Sequence, residues 1–330
     1  MKPSSIGSIL RRLAKERGVK FYLEPRYGYV GYLELPDGQR RFFRGSAFDL
    51  NTSGATELAK DKDYTSRFLK RFGYPAPDGQ AFFTDWWCQR IGSERDWRKA
   101  LTYAQSLGWP LIVKPNSQKQ GIGVAKVHDE EEFKQAVEAL QDRERVFIVQ
   151  KVLRGRDYRL TVLDGEVVAA YERRPLSLIG DGRSTLGELW QRRQTELVAA
   201  ERELAIESDD FRLDNQLKQL ELSWQSKPVQ GEQVKLLPNA NLSTGGEAKD
   251  LTRELYPAWR ELAAKIARDI NLRFVGIDII SPGGLDGAPG DYSILELNAS
   301  PGLANYASLG PEQGERVEEI YRSILEKMLG

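Results

Sequence analysis

Two apolar runs late in the chain carry acids where a buried strand would be expected to have none. In RFVGIDII, Arg273 to Ile280, the acid is Asp278; in ILELNASPG, Ile294 to Gly302, it is Glu296, with Asn298 two residues on. Side chains at i and i+2 stand on one face of a strand, so Glu296 and Asn298 lie side by side, and a neighbouring strand can bring Asp278 to them. An unpaired buried amide costs roughly 2–7 kcal/mol and an unpaired charge more. The fold must therefore supply partners. Three hard oxygen ligands on two strands suit Mg²⁺, which takes few protein ligands and completes its shell with water and phosphates. The alternative is a carboxylate bonded to arginine or backbone, with the amide as a cap.

Composition narrows the chemistry further. Lys plus Arg and Asp plus Glu both number 48, so no global field draws the chain to nucleic acid or anionic lipid, and neither is an expected partner. A single cysteine, Cys88, and a single histidine, His128, exclude an internal disulfide, a cysteine zinc cluster and a Ser-His dyad. Chemistry then falls to Lys, Arg, Asp and Glu. With 40% hydrophobic residues over 330 positions, the chain can build real cores. It has no run near the roughly 18 apolar residues of a membrane span and no apolar signal core at its start. The expected location is the cytoplasm.

Along the chain, SIGSILRRLAKERG reads as an amphipathic helix stopped at Gly18. Short strands follow around Phe21–Val30, Gly31–Leu35 and Arg40–Arg44, with Asp37-Gly38 as a hairpin turn. A helix is predicted over Ala59–Phe72, a break at Gly73-Tyr74-Pro75-Ala76-Pro77, and a second helix over Glu94–Leu107. WPLIVKP and GVAKV read as strands flanking NSQKQGIG. Asp129 and Glu132 form a capping box for a helix, RVFIVQKVL a buried strand, and DYRLTVLDGEVVAAYERRP a long hairpin turning at Asp164-Gly165. Thr185 and Glu188 open a helix to about Leu204. Ile206–Val234 reads as a polar surface excursion, and Glu312–Met328 as a closing helix.

Four places could carry chemistry. KPNSQKQGIG is neither a Walker nor a dinucleotide fingerprint, because it leads into a strand; a glycine loop between strands can instead close over phosphates with its backbone N–H groups. Lys114, at the end of an apolar strand, needs an anion or an exit to water. Arg159 and Arg173, on the two arms of the hairpin, could meet a polyanion bidentately or be ordinary surface arginines. NLSTGG, Asn241 to Gly246, is a hydroxyl-rich turn able to offer backbone donors to an oxyanion. The fourth place is the Asp278, Glu296, Asn298 set.

Taken in order, DKDYTSRFLKRFGYPAP, WPLIVKPNSQKQGIGV, RDYRLTVLDGEVVAAYERRPLSLIGDGRSTLGEL, NANLSTGGEAKDLT and GIDII…ILELNASPG resemble the ATP-grasp superfamily of carboxylate-amine ligases. The resemblance is greatest to the glutathione synthetase-like domains of cyanophycin synthetase and bifunctional glutathione synthetase, and covers about residues 55–329. It implies an α+β fold in which two α+β lobes clasp ATP. The expected division is a short α/β region at 1–58 and an ATP-grasp domain at 59–330, with a flap subdomain at about 108–152 and a catalytic lobe at about 153–330. By the resemblance, Lys62 and Lys114 are the ATP lysines and Ser117 to Gly123 the flap, with Ser117, Gly121 and Gly123 at the nucleotide. Gln150, where the family usually has Glu, stands with Lys151 and Val152 at the adenine hinge, and Asp157 at the ribose. Arg159 and Arg173 are catalytic, Asp278, Glu296 and Asn298 bind magnesium, and Asn241, Ser243, Thr244, Gly245 and Gly246 face the acyl phosphate.

The activity so implied is amide or peptide bond formation between the carboxylate of an amino acid or short peptide and an amine, through an acyl phosphate, with ADP and phosphate released. The cofactors are ATP and two Mg²⁺ ions, for which Mn²⁺ could substitute. The partners are small amino acid or peptide substrates, and a homo-oligomer is left open. A nucleotide-binding scaffold without turnover, or a kinase on the same fold, are the rival readings. The region before Lys62 is shorter than the family's N-terminal lobe, so part of the acceptor wall is expected to be missing or to come from another chain. The resemblance is not expected to extend to the second ligase module of cyanophycin synthetase or to the leading module of the bifunctional enzyme.

Overall fold

The computed structural model describes residues 5–118, 121–199 and 210–330. Helix α1 (Ser5–Glu16) buries Leu10, Leu13 and Ala14 on one stripe, and Gly18, at φ +65°, turns the chain into a strand. Strands β1 (Lys20–Leu23), β2 (Val30–Glu34), β3 (Arg40–Arg44) and β4 (Ala47–Phe48) form an antiparallel sheet in chain order. Alternate residues Leu23, Leu33 and Phe43 point inward. This region has no separate core: its apolar residues cluster with Leu163, Ala169 and Phe274 of the central sheet and with Ile320, Tyr321 and Ile324 of the last helix.

The single helix expected over Ala59–Phe72 is two, α2 (Ser53–Lys60) and α3 (Lys62–Arg71). Asp61 breaks the run with an extended backbone, and its carboxylate accepts the N–H of Tyr64, capping α3. Lys62 thereby becomes the first residue of a helix. Strand β5 (Gly79–Phe83), α4 (Asp85–Ile91) and α5 (Trp97–Leu107) follow. The expectation had no α4 and started α5 at Glu94; α5 begins later because Asp96 caps it, accepting the N–H groups of Arg98 and Lys99. Strands β6 (Leu111–Pro115) and β7 (Ala125–Val127), helix α6 (Glu130–Gln141) and strand β8 (Val146–Lys151) complete a lobe whose sheet runs β5-β8-β6-β7, all antiparallel. Its core is Val113, Phe133, Val137, Phe147 and Val149. Lys119 and Gln120, inside the predicted flap, lie outside the described residues.

Strands β9 (Arg156–Leu163) and β10 (Glu166–Arg174) form the expected hairpin, with positive φ at Asp164 and Gly165. The segment after β10 folds as β11 (Ser177–Ile179), α7 (Leu186–Ala199), α8 (Phe211–Gln219) and β12 (Gln233–Lys235). Here the surface excursion expected over Ile206–Val234 is corrected from residue 210 onward: β12 pairs with β11, and Leu213 and Leu217 of α8 are buried with Leu178, Leu186 and Trp190. Its earlier part, like the end of the helix expected to reach Leu204, lies outside the described residues. Strand β13 (Glu247–Asp250), α9 (Pro257–Asp269), β14 (Phe274–Ser281), β15 (Ser293–Asn298), α10 (Ala304–Ala307) and α11 (Pro311–Leu329) close the chain.

The central sheet runs β13-β10-β9-β14-β15, antiparallel throughout. Along β9 the even positions Tyr158, Leu160 and Val162 pack with Val275, Ile277 and Ile279 of β14 against Trp259 and Ile266 of α9. The odd positions change character along the strand. Leu163 joins the core shared with the N-terminal region, whereas Arg159 and Asp157, on the same face, are polar. No helix among the described residues is long and apolar enough to cross a membrane.

Candidate active site

Register places the polar end of that face. Tyr171 of β10, Arg159 of β9, Asp278 of β14 and Glu296 of β15 stand in one row across four strands, and Arg173 and Asp157 are paired nearby. Gly276 pairs with Asn298, so Asp278, Glu296 and Asn298 share a face as their spacing required. A Cβ at Gly276 would come within 3.0 Å of Arg159 Cδ. The glycine makes room for the arginine.

Asp278 is fully buried. Its carboxylate accepts both Nε and Nη2 of Arg159, the latter at 2.8 Å, and Nη2 of Arg173 at 2.8 Å. Arg173 also donates from Nε and Nη2 to Asp157 at 2.9 and 2.7 Å. Burial alone would raise Asp278, but the two guanidiniums outweigh it and hold the carboxyl below its ordinary range. Burial pushes Asp157 up to about 6, with the Asp278 charge adding and Arg173 opposing. For Asp278 the structure thus presents the alternative the sequence left open, a buried carboxylate bonded to arginine. Arg159 and Arg173 are not ordinary surface arginines, since both are buried.

Glu296 is different, with its side chain 28% exposed and Lys62 Nζ 3.7 Å away. Asn298 accepts the N–H of Ser300 at 3.0 Å and keeps further acceptor capacity. Among the described residues no group of three or more His, Cys, Asp and Glu is arranged to hold a metal. The donor chemistry of Glu296 and Asn298, two oxygens side by side at a cavity wall, fits a hard cation. Asp278 lies fully buried, and a metal bound to it directly would share its carboxylate with both guanidiniums.

A cavity of about 620 Å³ opens over this face, lined among others by Lys62, Ser117, Arg159, Tyr171, Arg173, Asn241, Ser243, Glu296 and Asn298. Lys62 reaches into it from the start of α3, donating to the carbonyls of Gln118 and Asn116 at 2.5 and 3.4 Å. Asn116 joins that helix to the end of β6: its Nδ2 donates to Asp61 at 2.7 Å and its Oδ1 accepts the N–H of Asp63 at 3.0 Å. Lys114 is 4% exposed, and its ammonium makes no hydrogen bond or ion pair with any described residue. Burial pushes its ammonium down to about 8, against the pull of Glu296 and with a further push from Lys62. It is a buried cation in want of an anion.

Other expected residues stand elsewhere. Gln150 is buried and Lys151 exposed at the end of β8, off the cavity wall. The backbone N–H of Lys151 already donates to the Asp78 carbonyl at 2.9 Å, so it is not free to donate to a nucleotide. Gly121 and Gly123 occupy a turn with φ of +73° and +68°. The NLSTGG turn needs a larger correction. The N–H groups of Thr244 and Gly246 donate to Asn241 and that of Gly245 to Leu242, and the Thr244 hydroxyl donates to the Asn241 carbonyl at 3.0 Å. A tight 3₁₀ turn satisfies its own backbone, so Thr244, Gly245 and Gly246 shape the loop and only Asn241, Leu242 and Ser243 reach the cavity wall.

Sequence reasoning missed Asn116, Tyr171, Tyr29 and Ser46. The last two come from the N-terminal region and line the cavity, and Ser46 Oγ donates to the Ser300 carbonyl at 2.8 Å. That region therefore supplies part of the cavity wall.

Residues 68–179 match the family described as D-ala D-ala ligase C-terminus. The chain is 33% identical over 272 residues to cyanophycin synthetase of Trichormus variabilis, covering 78% of this chain and 28% of that protein. To the glutathione biosynthesis bifunctional protein of Mannheimia succiniciproducens it is 31% identical over 262 residues, covering 74% and 32%. It thus spans about a third or less of these relatives' length. Among solved structures, the bifunctional glutathione synthetase of Pasteurella multocida superposes with a TM-score of 0.58 at 20% identity, over 98% of this chain and 44% of that one. D-alanine–D-alanine ligase of Bacillus anthracis gives 0.51 at 15% identity, over 84% and 69%.

Proposed function

The chain belongs to the ATP-grasp superfamily, and on that footing we propose that it is an ADP-forming ligase joining the carboxylate of an amino acid or short peptide to an amine through an acyl phosphate. Its substrates are then small molecules. The observation that carries the reading is Lys114, a buried ammonium with no hydrogen-bond or ion-pair partner among the described residues, lying within the electrostatic reach of Glu296, Lys62 and Asp278. A buried ammonium without a partner is costly, and an anion that comes to it relieves that cost.

In this reading residues 1–58 are an α/β region that walls the site, and 59–330 the catalytic unit. Lys62 and Lys114 hold the phosphates, the Ser117–Gly123 flap covers them, and the backbone of Val152, just after β8, meets the nucleoside. Glu296 and Asn298, with Asp278 behind them, would hold Mg²⁺, which when bound supplies neutralising charge at the phosphates. Arg159 and Arg173, fixed in orientation by Asp278 and Asp157, receive the substrate carboxylate and neutralise charge that develops on the transferred phosphoryl group. Asn241 and Ser243, both on the cavity wall, would meet the acyl oxygen. Positioning and charge neutralisation do the work, so the lone His128 has no required part.

With ATP, Mg²⁺, a competent carboxylate and hydroxylamine, the enzyme should form a hydroxamate with one ADP released per product. A panel of amino acids and short peptides identifies the carboxylate. Stoichiometric AMP during hydroxamate formation would overturn the acyl-phosphate route, and ATP turnover that phosphorylates an alcohol would make the protein a kinase.

Lys114 gives a pH test. Its ammonium is full below about 8 and is lost above it, so nucleotide affinity should fall as pH rises from roughly 7 to 9.5, and binding at the upper end should take up a proton because the phosphates restore the charge. Calorimetry in buffers of different ionisation enthalpy reads that proton. Lys114→Ala should weaken nucleotide binding by about 1.5–3 kcal/mol and abolish the uptake. Uptake persisting in the variant would assign the proton to another group.

A further inference from the structure

The glycine turn at Gly121–Gly123 is held from outside its own lobe. Asp210 caps α8, and Arg212, the second residue of the helix, is 8% exposed with its guanidinium bonded back to the Asp210 carboxylate, Nε to Oδ1 at 2.8 Å. The Nη1 of Arg212 then donates to the carbonyl of Gly121 at 2.9 Å and that of Val124 at 3.2 Å. A buried arginine fork has two backbone acceptors of the turn in its grip. From another side the turn meets Asn241: a Cβ on Gly121 would lie 2.2 Å from Asn241 Nδ2. The same helix reaches the lobe at two further points, Asn215 Nδ2 to Gln135 at 3.1 Å and Gln219 Nε2 to Glu132 at 3.0 Å, while Phe211 packs against the lobe's core.

Across a trans peptide the C=O and the following N–H point opposite ways. Fixing the Gly121 carbonyl on Arg212 therefore turns the N–H of Ile122 away from α8. We propose that Arg212, oriented by Asp210, is a positioning residue for the nucleotide: it sets where the Gly121–Val124 turn sits and which way its N–H groups face. The inference rests on the ligase reading for the identity of the nucleotide, but the hold itself is a property of the free protein. It gives the segment between β10 and β13 a role that its polar composition did not suggest, because that one segment grips the turn through Arg212 and meets it again through Asn241.

The test uses the full chain. Hydrogen–deuterium exchange without ligand is compared for wild type, Arg212→Ala and Arg212→Lys, with Asn215→Ala as a control that loses only a bond to Gln135. Arg212→Lys keeps a cation beside Asp210, so it stays informative where the alanine variant fails to fold. Amides of residues 121–127 should exchange at least about tenfold faster in both Arg212 variants, with β9 and β14 unchanged and Asn215→Ala like wild type. The dissociation constant for ADP with Mg²⁺ should rise at least about fivefold in the Arg212 variants alone. Unchanged exchange at the turn, an equal rise across the central sheet, or unaltered ADP affinity despite a loosened turn would each overturn the proposal. Wild-type protein that binds no nucleotide would instead sink the ligase reading, which the control titration makes visible.

Discussion

Asp278→Ala should lower stability by about 3–5 kcal/mol, the usual cost of removing one partner from a buried charge network. The carboxylate is fully buried and is the shared acceptor of Arg159 and Arg173. Without it Arg159 is left buried without the carboxylate that binds it, while Arg173 keeps Asp157. Removing both charges together, Asp278→Leu with Arg159→Met, should restore much of the loss, because well-packed apolar residues can replace a buried pair at little cost. Denaturant unfolding of the two variants measures this. A single variant costing less than about 1 kcal/mol would show that the arginines find water or another anion, and that the network is not what holds this face of the sheet.

The second large effect concerns catalysis without stability. Glu296→Gln removes a charge from the cavity wall at constant shape. Its side chain is partly exposed and its ion pair with Lys62 is long, at 3.7 Å, so the melting temperature should barely move. Turnover should fall on the order of a hundredfold or more, since the several kcal/mol of charge stabilisation that a metal supplies would go with its ligand. Raising Mg²⁺ should recover part of the loss. Near-wild-type turnover at moderate Mg²⁺ would remove Glu296 from the ligand set.

The two effects separate because two acids that read alike in sequence stand in different surroundings. Asp278 and Glu296 both appeared as acids in apolar runs; strand periodicity put Glu296 and Asn298 on one face, and the pairing of β14 with β15 brings Asp278 to it. Local signals served equally well at Asp164-Gly165 and at Thr185 and Glu188, where the turn and the cap are chemistry within a few residues. What could not be read was which acid would be claimed by arginine. That depends on β9 lying between β10 and β14, a pairing of residues over a hundred positions apart. Asn116 was invisible for the same reason, since its partner Asp61 is 55 residues away. The break at Asp61 escaped notice because it carries neither glycine nor proline, and the NLSTGG turn misled because composition lists donors without saying that a tight turn consumes them. Helix α8 was hidden in a polar stretch in which Phe211, Leu213 and Leu217 were its whole apolar signal.

The buried quartet has a consequence for how the site should respond to salt. Arg159 and Arg173 are matched by Asp157 and Asp278 within the protein, so as a unit they carry no excess charge, and their contacts are too short and too dry for mobile ions to weaken. The excess positive charge that an incoming polyanion meets comes from Lys62 and Lys114, offset by Glu296. Ionic strength should then govern how readily an anion is captured while leaving the orientation of the arginines untouched: added salt weakens the encounter, and the geometry that receives the substrate carboxylate stays as folded.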